Sequence, residues 1–312
     1  MPKFNTIAVV GIGLIGASLA AAFKKSDSNL KILAVDQDQY TIKKAEDLKI
    51  IDKGFLEIKD NLKEAELIFV AVPVSKITDV IKEIDRGSNN KQLIVDAGST
   101  KKEILKKAEQ LLEKSKKTFI GAHPMAGSHK SGIDWHDPDL FVEAPFILTP
   151  LIDDKPADNE VNENTFFNKE SEIINNLEEN KKEELLALKE LIESIGARTY
   201  IISAEEHDRC TALVSHLPHL LSSALVNMLN LEKDNTNMLK LSGSGFRDMT
   251  RIAGSSPELW QDIILSNNNN LIDLIEKYIR ELEELKADLE KNDEQKIFDF
   301  LAEAAELKKD ID

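Results

Sequence analysis

Short apolar runs alternate with amphipathic or charged segments through the first two hundred residues. The first run, Thr6–Val10, is β-branched, and an alanine-rich segment with helix-forming composition follows it as far as Phe23. Further strand-like runs are Lys31–Val35, Leu67–Val72, Leu93–Val95, Thr118–Gly121, Phe146–Leu148 and Thr199–Ile202. Because strands that alternate with helices pair in parallel, this pattern predicts an α/β fold with a doubly wound parallel sheet.

The pattern changes after Ala204, where no further strand-like run occurs. Residues 205–230 and 257–310 carry apolar residues at three- and four-residue steps, which predicts helices. Examples of these steps are Leu271, Leu274, Ile275, Tyr278, Ile279 and Leu282. We therefore expect two domains, an α/β domain over residues 1–203 and an all-α domain over residues 204–312.

A segment at about 152–184 differs from both domains. It is rich in Asn, Asp and Glu, and its apolar residues follow no regular period. We interpret it as a surface insertion or mobile loop without a catalytic role, and a short amphipathic helix near Ile173–Leu177 is one option.

Composition excludes several classes of function. The chain has 312 residues, of which 31% are charged, and a formal net charge of −16. Such acidity argues against a general nucleic-acid binder and against docking on anionic lipid. The charge is localised, however, because residues 152–184 and 281–312 each contribute −7 whereas residues 1–150 sum to +1. The net charge thus describes the periphery and does not exclude a small anionic ligand.

Cysteine content and hydropathy indicate a cytoplasmic protein. The single cysteine, Cys210, excludes an internal disulfide and a cysteine-based zinc cluster. Ile7–Phe23 is the stretch most like a signal peptide or membrane span, but it contains three glycines and lacks a basic leader. We expect neither a membrane nor a nucleic acid as a partner.

The turn after the first strand matches a dinucleotide-binding pattern. Gly11, Gly13 and Gly16 fit G-x-G-x-x-G between a predicted strand and a predicted helix. The first glycine permits a tight turn, the second lets backbone approach a pyrophosphate, and the third lets helix and strand pack closely. Backbone N–H groups at the helix start, around Leu14 and Ile15, then face the phosphates. The first domain is therefore predicted to be of the Rossmann type.

The end of the second predicted strand carries an acidic residue that selects the dinucleotide. Asp36 lies 20 residues after Gly16, where a carboxylate accepts hydrogen bonds from ribose hydroxyls and repels a 2′-phosphate. The sequence thus predicts NAD rather than NADP as cofactor. Asp38 is either a solvated loop charge or a second ribose contact.

Histidines and nearby hydroxyls suggest proton transfer. All six histidines lie between residues 123 and 219, and His123 follows a strand in the stretch GAHPMAGS. Histidine is suited to remove a hydroxyl proton near neutral pH. Ser99, in DAGSTK, ends the preceding strand, which brings it within hydrogen-bond range of His123 and a substrate hydroxyl.

Two motifs in the helical region suggest an anion pocket. His216 and His219 share a helix face in SHLPH, which is expected to open a helix with Ser215 as N-cap. A zinc site there lacks a third ligand, so no metal is expected. The stretch from Gly243 to Arg251 is expected to form a flexible turn that carries Arg247 and Arg251, whose guanidinium groups suit carboxylates.

Together these motifs resemble the prephenate/arogenate dehydrogenases, the TyrA family. The resemblance runs in order from about Thr6 to Asn270, interrupted by the acidic segment, through the glycine turn, DAGSTK, HPMAGS, EHD, SHLPH and GFRDMTRIAGSSPELWQDI. It implies a Rossmann domain, then a helical domain that forms most of a homodimer interface. The implied activity is oxidative decarboxylation of prephenate by NAD(P) to 4-hydroxyphenylpyruvate, on the route to tyrosine.

The resemblance also implies roles for individual residues. His123 corresponds to the base on the ring hydroxyl, with Ser99 beside it, and Arg251 to the arginine that binds a substrate carboxylate. His216 and His219 correspond to pocket-lining residues, so that histidines and Arg251 together are expected to meet the anion. Arg247 is expected either to bind substrate or to pair with Asp248 or with an acidic neighbour across a dimer. Other expectations are that His207 is not catalytic, that His129 lies at the pocket edge and that Trp260 packs in the helical core.

Three alternatives remain open. Arogenate dehydrogenase differs only in a keto versus ammonium group on the substrate. A β-hydroxyacid-type dehydrogenase would place a catalytic lysine on a helix, whereas Lys240 falls in a loop-like stretch. A non-catalytic NAD-binding regulator would bind NAD without turnover. Because no chorismate mutase or ACT-type segment is apparent, we expect a monofunctional enzyme.

Overall fold

The computed structural model describes residues 4–88, 90–127, 130–151, 169–232 and 236–310. One eight-stranded sheet spans the first two hundred residues, and helices follow it. The strands are β1 (Thr6–Val10), β2 (Lys31–Val35), β3 (Lys53–Phe55), β4 (Leu67–Val70), β5 (Leu93–Asp96), β6 (Thr118–Pro124), β7 (Pro145–Pro150) and β8 (Arg198–Ile201). They are ordered β3-β2-β1-β4-β5-β6-β7-β8.

Helices cover both faces of this sheet. Around it lie α1 (Leu14–Ser26), α2 (Gln39–Asp47), α3 (Val74–Gly87), α4 (Lys102–Leu112), α5 (Lys169–Asn175) and α6 (Glu179–Glu193). The helical region has α7 (Ala204–Thr211), α8 (Leu217–Met228), α9 (Thr236–Lys240), α10 (Ser244–Thr250), α11 (Pro257–Ser266), α12 (Asn268–Lys291) and α13 (Glu294–Lys308).

The continuous apolar runs are explained by burial on both faces. In β1, Ile7 and Val9 pack into the core that includes α1 and α6, whereas Ala8 and Val10 pack into the core that includes α3 and α4. Because successive side chains point to opposite faces, a strand covered on both sides has no polar positions. The predicted Rossmann-type architecture with a helical second part is confirmed.

The expectation of a wholly parallel sheet is wrong at one position. β7 pairs antiparallel with β6, and Ala122 lies opposite Leu148. In the described part of the connection between these strands there is a 3₁₀ turn but no α-helix. Without a crossover helix the chain returns in the opposite direction. The edge strand β3 was also missed, because three residues give no pattern.

The acidic segment is partly a folded crossover. Residues 152–168 lie outside the described part, but α5 and the start of α6 connect β7 to its parallel neighbour β8. The interpretation as an insertion is therefore wrong from residue 169 onward. Glu184 is buried, accepts a hydrogen bond from Thr118 Oγ1 at 2.6 Å and pairs with Lys91 Nζ at 2.9 Å. The sequence did not predict this crossover, because the many charged residues on its solvent-facing side obscure the apolar residues that it buries.

The helix that carries SHLPH starts at Ala204, close to the predicted start at residue 205, and not at Ser215. It runs without a break from Ala204 to Leu231, and residues 212–216 form a π turn between α7 and α8. Its N-cap is Ser203, whose hydroxyl accepts a hydrogen bond from the N–H of Glu206 at 3.2 Å. The predicted helix start at Ser215 is wrong, because Pro218 follows a π turn rather than a helix start.

Length and composition alone would let this helix cross a membrane. It is the one helix in the described ranges with this property, and 28% of its most apolar window is buried. This is weak support for a span, because core helices of soluble proteins meet the same criteria. Ile7–Phe23, by contrast, forms β1 and α1.

The helical region buries little of its apolar surface within one chain. Its buried cluster comprises Ala212, Leu217 and Leu271. Large apolar side chains remain exposed on several helices and turns, including those of Val214, Leu231, Leu241, Met249, Leu265 and Phe298. So many exposed large apolar side chains in one region are unusual for a surface that stays in water.

Candidate active site

The glycine turn joins β1 to the N-terminus of α1. Gly11 adopts a positive φ of +89°, and its N–H donates to the Val35 carbonyl oxygen at 2.8 Å. A Cβ on Gly16 would overlap the carbonyl oxygen of Gly11, whereas a Cβ on Gly13 would meet nothing within 4 Å. Gly16 therefore allows helix–strand packing, and Gly13 keeps the approach to the helix N-terminus open. Leu14 and Ile15 form the first turn of α1.

Asp36 is held against the glycine turn. Its Oδ2 accepts a hydrogen bond from the N–H of Ile12 at 2.8 Å, and its Oδ1 accepts one from the N–H of Asp38 at 2.9 Å. Asp38 itself caps α2 by accepting from the N–H groups of Tyr40 and Thr41. Asp38 is thus a helix cap, a role that neither option proposed for it, and its contact with a ribose stays a prediction; Asp36 is the carboxylate that is hydrogen-bonded to the glycine turn.

Strand ends bring the proposed proton-transfer groups to one edge of the sheet. His123 is the penultimate residue of β6 and is partly buried. Ser99 lies in the loop between β5 and α4 and is also partly exposed. The Ser99 hydroxyl makes no hydrogen bond to another described residue, and its contact with His123 stays a prediction.

His123 instead contacts a second histidine from the helical region. Its Nδ1 lies 2.8 Å from Nε2 of His207, and Nδ1 of His207 lies 2.8 Å from Oδ1 of Asp208. His207 and Asp208 are both buried in the first turns of α7. His207, expected to have no catalytic connection, is thus the direct partner of the proposed base.

Asp208 and a buried lysine connect this cluster to the sheet. The carboxylate of Asp208 accepts from the N–H groups of Lys101 at 2.7 Å and Lys102 at 2.9 Å. The Lys101 side chain is fully buried, and its ammonium donates to Asp96 and to the Ala122 carbonyl oxygen. The end of β5, the start of α4, the strand of His123 and α7 are thereby joined through buried charges.

Burial lowers the pKa of each histidine in this site, so protonation from solvent becomes harder. Desolvation lowers the pKa of His123 well below its usual value and lowers the pKa of His207 as well. It lowers the pKa of His216 to about 4 and also lowers the pKa of His219. The four imidazoles are therefore neutral at pH 7, and the expected contact of His123, His216 and His219 with an anion, which stays a prediction, would be made by uncharged rings.

His216 and His219 lie beside an indole. The Trp260 ring stacks on His219 with centroids 3.6 Å apart and meets His216 edge-on at 6.1 Å. Trp260 thus packs within the helical region as expected, but it is only partly buried. Asn267 donates to the Asp208 carbonyl oxygen at 2.7 Å and lies 3.1 Å from Nδ1 of His216.

Two buried polar atoms on α8 lack a hydrogen-bond partner among the residues that the structure describes. Nε2 of His219 and Oγ of Ser222, one turn apart on α8, are buried without a hydrogen-bond partner in the described part of the chain. Buried polar atoms without partners are costly, and ligand binding is a common reason for them. The backbone of Ile252 acts to raise the pKa of His219, against the larger effect of burial.

The two arginines occupy a helix rather than a flexible turn. Arg247 lies on α10, and Arg251 begins the 3₁₀ turn that contains Ile252. Both arginines are exposed, and neither forms an ion pair with another described residue, so the alternative pairing of Arg247 with Asp248 is not observed. Lys240 is also exposed and ends a five-residue helix rather than lying in a loop. No metal-binding group of acidic, histidine or cysteine side chains occurs within the described ranges.

Comparison with known proteins assigns this site to a family. A model of the prephenate dehydrogenase nucleotide-binding domain matches residues 19–165, and a model of the prephenate dehydrogenase dimerization domain matches residues 203–303. The prephenate dehydrogenase of Bacillus subtilis is 32% identical over 97% of this chain and 75% of the relative. The chain belongs to the prephenate dehydrogenase family.

Solved structures agree with this family. The Aquifex aeolicus prephenate dehydrogenase in complex with hydroxyphenyl propionate and NAD+ gives a TM-score of 0.83 at 29% identity, with 99% of this chain and 98% of that chain covered. Synechocystis arogenate dehydrogenase gives 0.77 at 28% identity, with 98% and 100% covered. The expected enzyme class, an NAD-dependent oxidoreductase of the prephenate dehydrogenase family, is confirmed.

Sequence reasoning missed several residues of this prephenate dehydrogenase site. The structure adds Asp96, Lys101, Asp208, Ser222 and Asn267, and it brings His207 and Trp260, for which the sequence predicted no catalytic or substrate role, into contact with the proposed site histidines. Most of them lie inside the motifs DAGSTK, EHD and GFRDMTRIAGSSPELWQDI, so the signal was present. The contacts between segments, such as Trp260 with His219 and Lys101 with Asp208, join residues 41 to 107 positions apart, and spacing along the chain does not show such contacts.

Proposed function

We propose that this protein converts prephenate to 4-hydroxyphenylpyruvate by oxidative decarboxylation with NAD, with His123 as the base. The observation that carries the proposal is a neutral histidine at the carboxyl edge of the sheet, held by a buried hydrogen-bonded partner. Ligands of open α/β sheets bind at this edge. The glycine turn and Asp36 support NAD, because Gly13 leaves room for the pyrophosphate and Asp36 disfavours a 2′-phosphate.

In this reaction the protein itself has to carry out one proton transfer, the removal of the proton from the ring hydroxyl. His123 accepts the proton of the ring hydroxyl, with Ser99 proposed to hydrogen-bond the same oxygen. The nicotinamide, when bound, accepts hydride from the ring carbon that bears this oxygen. Loss of carbon dioxide then makes the ring aromatic, so the protein mainly orients the substrate and removes one proton.

We propose that positive charge for the two substrate carboxylates comes from Arg251 and Arg247. The neutral state of His216 and His219 leaves them as hydrogen-bonding and packing groups of the pocket. Arg251 begins the 3₁₀ turn Arg251–Gly254, which packs against α8, the helix that carries His219, so the arginine is adjacent to this pocket. A guanidinium group supplies a bidentate contact that imidazole does not.

We propose a cytoplasmic homodimer that forms through the helical domain, with the domain boundary at residues 203 and 204. The match to a dimerization domain and the exposed apolar side chains on the same helices support this assembly. Sedimentation of the full chain tests the proposal, and a monomer at micromolar concentration would contradict it.

The activity is tested by formation of NADH from purified protein with prephenate and with arogenate, each with NAD and NADP. We expect the highest kcat/KM with prephenate and NAD. Absence of turnover with both substrates contradicts the proposed function, whereas turnover of arogenate alone assigns the alternative substrate. Higher kcat/KM with NADP contradicts the role of Asp36.

A further inference from the structure

A continuous chain of hydrogen bonds leads from the proposed base to a buried carboxylate. Nδ1 of His123 contacts Nε2 of His207, and Nδ1 of His207 contacts Oδ1 of Asp208, each over 2.8 Å. The two imidazole rings are 5.1 Å apart between centroids and inclined at 65°. Only His123 belongs to the sheet, since its two partners come from α7.

The direction of each hydrogen bond follows from the partners of Asp208. Its two carboxylate oxygens accept the N–H groups of Lys101 and Lys102, so Asp208 is an acceptor in this network. Nδ1 of His207 must therefore carry the proton that it shares with Asp208. A neutral imidazole has one N–H, which leaves Nε2 of His207 as an acceptor.

The same reasoning fixes the proton on His123. Since Nε2 of His207 accepts, Nδ1 of His123 must donate, and Nε2 of a neutral His123 then has a free lone pair. Nε2 of His123 makes no hydrogen bond to another described residue, in contrast to Nδ1. The atom without a partner is thus the basic one.

Burial is the main reason that both rings are neutral. It lowers the pKa of His123 most, and His207, Lys101 and His216, which face this ring, lower it further. Asp208 and Asp96 act to raise the pKa of His207, but burial, which lowers it, is the larger effect. The ammonium of Lys101 is bonded to Asp96 and is not a partner for either ring.

We propose that His207 and Asp208 are positioning residues that hold His123 in the tautomer with an unprotonated Nε2 and stabilise the imidazolium formed when Nε2 takes the substrate proton. In this arrangement the new cation donates through Nδ1 to His207, and Asp208 supports His207 in turn. The catalytic effect of His207 and Asp208 rests on the proposed function of His123 as the base. The tautomer of His123 follows from the hydrogen bonds and does not depend on that function.

The tautomer is measured directly by ¹⁵N NMR of histidine-labelled protein without substrate at pH 7. We expect Nδ1 of His123 to be protonated and Nε2 to be unprotonated in the wild type. His207→Leu removes the acceptor at similar volume and is expected to give a mixture of tautomers. His207→Gln restores an acceptor oxygen and is expected to restore the Nδ1-protonated form. A wild-type His123 protonated on Nε2, or a Leu variant unchanged from wild type, overturns the proposal.

Kinetics separate positioning from a structural role. We expect His207→Leu to lower kcat by about 10- to 100-fold, the range typical of a lost outer partner of a functional histidine. In His207→Leu the acid limb of the pH profile of kcat/KM should also move to lower pH, because the His123 imidazolium loses its hydrogen-bond acceptor. His207→Gln should recover part of kcat and part of the shift. An unshifted limb with no recovery by Gln assigns His207 a purely structural role.

Two controls keep the outcomes distinct. Arg209→Gln alters an exposed side chain of the same helix and should leave both the spectrum and the pH profile unchanged. His207→Asn is polar but too short to reach His123, and it replaces the Leu variant if that variant does not fold. If the wild type turns over neither substrate, the proposed function fails while the NMR result still decides the tautomer.

Discussion

The carbonyl oxygen of Gly11 occupies the space where residue 16 would carry a Cβ. Gly16 lies in the first turn of α1, and the overlap would be with backbone, which has no rotamer to move. Gly13 stands at the N-cap of the same helix with no atom within 4 Å of its own Cβ position. These two glycines of the motif therefore have different roles: Gly16 is needed for packing of helix against strand, and Gly13 leaves space for the ligand.

Alanine substitutions separate these demands. Gly16→Ala is expected to lower the melting temperature markedly, because helix and strand must move apart. Gly13→Ala is expected to leave the melting temperature within a few degrees of wild type and to weaken NAD binding by about tenfold or more, which is 1.4 kcal/mol. Thermal unfolding and NAD titration measure both. Equal loss of stability in the two variants contradicts the assignment.

Asp36 is expected to set the coenzyme preference. Asp36→Ser removes the carboxylate, so the ratio of kcat/KM for NADP to that for NAD should rise by about tenfold or more. Asp38→Ala is the matched control, because Asp38 caps α2 instead. Asp38→Ala should lower the melting temperature slightly because α2 loses its N-cap, and it should leave the coenzyme ratio unchanged. A ratio that follows Asp38 rather than Asp36 would reverse these roles.

His123 is expected to act as a base down to acidic pH. The base works unprotonated, and burial holds its pKa well below the usual value of about 6.5. The acid limb of kcat/KM should therefore lie below pH 6.5. His123→Asn should lower kcat by about 10²- to 10⁴-fold without a change in NAD affinity. Full activity of this variant would assign the base elsewhere.

Arg251→Gln is expected to raise KM for prephenate with a smaller effect on kcat. The substitution removes a charge-assisted carboxylate contact, and such contacts contribute roughly 1.5–3 kcal/mol. Steady-state kinetics measure it, and Arg209→Gln is the matched loss of an exposed guanidinium. An unchanged KM in the Arg251 variant contradicts a substrate contact.

Neutral His216 makes stability depend on pH. Its pKa is about 4 in the folded state and about 6.5 when unfolded, so the folded state binds fewer protons. This contribution is fully present above pH 6.5 and is lost as the pH falls toward 4; at most about 3 kcal/mol is involved. Melting temperatures measured from pH 7 to pH 4 should therefore fall less steeply for His216→Gln than for wild type. If the melting temperatures of wild type and His216→Gln fall in parallel with pH, the depressed pKa of His216 does not contribute to stability.

Elements with a local signal were predicted well. The β1 and β2 strands match their predicted bounds of Thr6–Val10 and Lys31–Val35, because burial on both faces leaves a continuous apolar run. The antiparallel direction of β7 had no such signal, since direction depends on the connection rather than on the strand. The π turn at residues 212–216 was likewise missed, because SHLPH fits a helix start equally well.

The sequence by itself determined the glycine turn, the acidic residue after β2, the order of an α/β part and a helical part, and the family to which they point. These follow from the local fit of residue types to backbone and ligand. Only the tertiary structure decided that His207 and Asp208 lie behind His123, and that Trp260 stacks on His219. Such contacts join distant segments through burial, and burial also decides that the histidines are neutral.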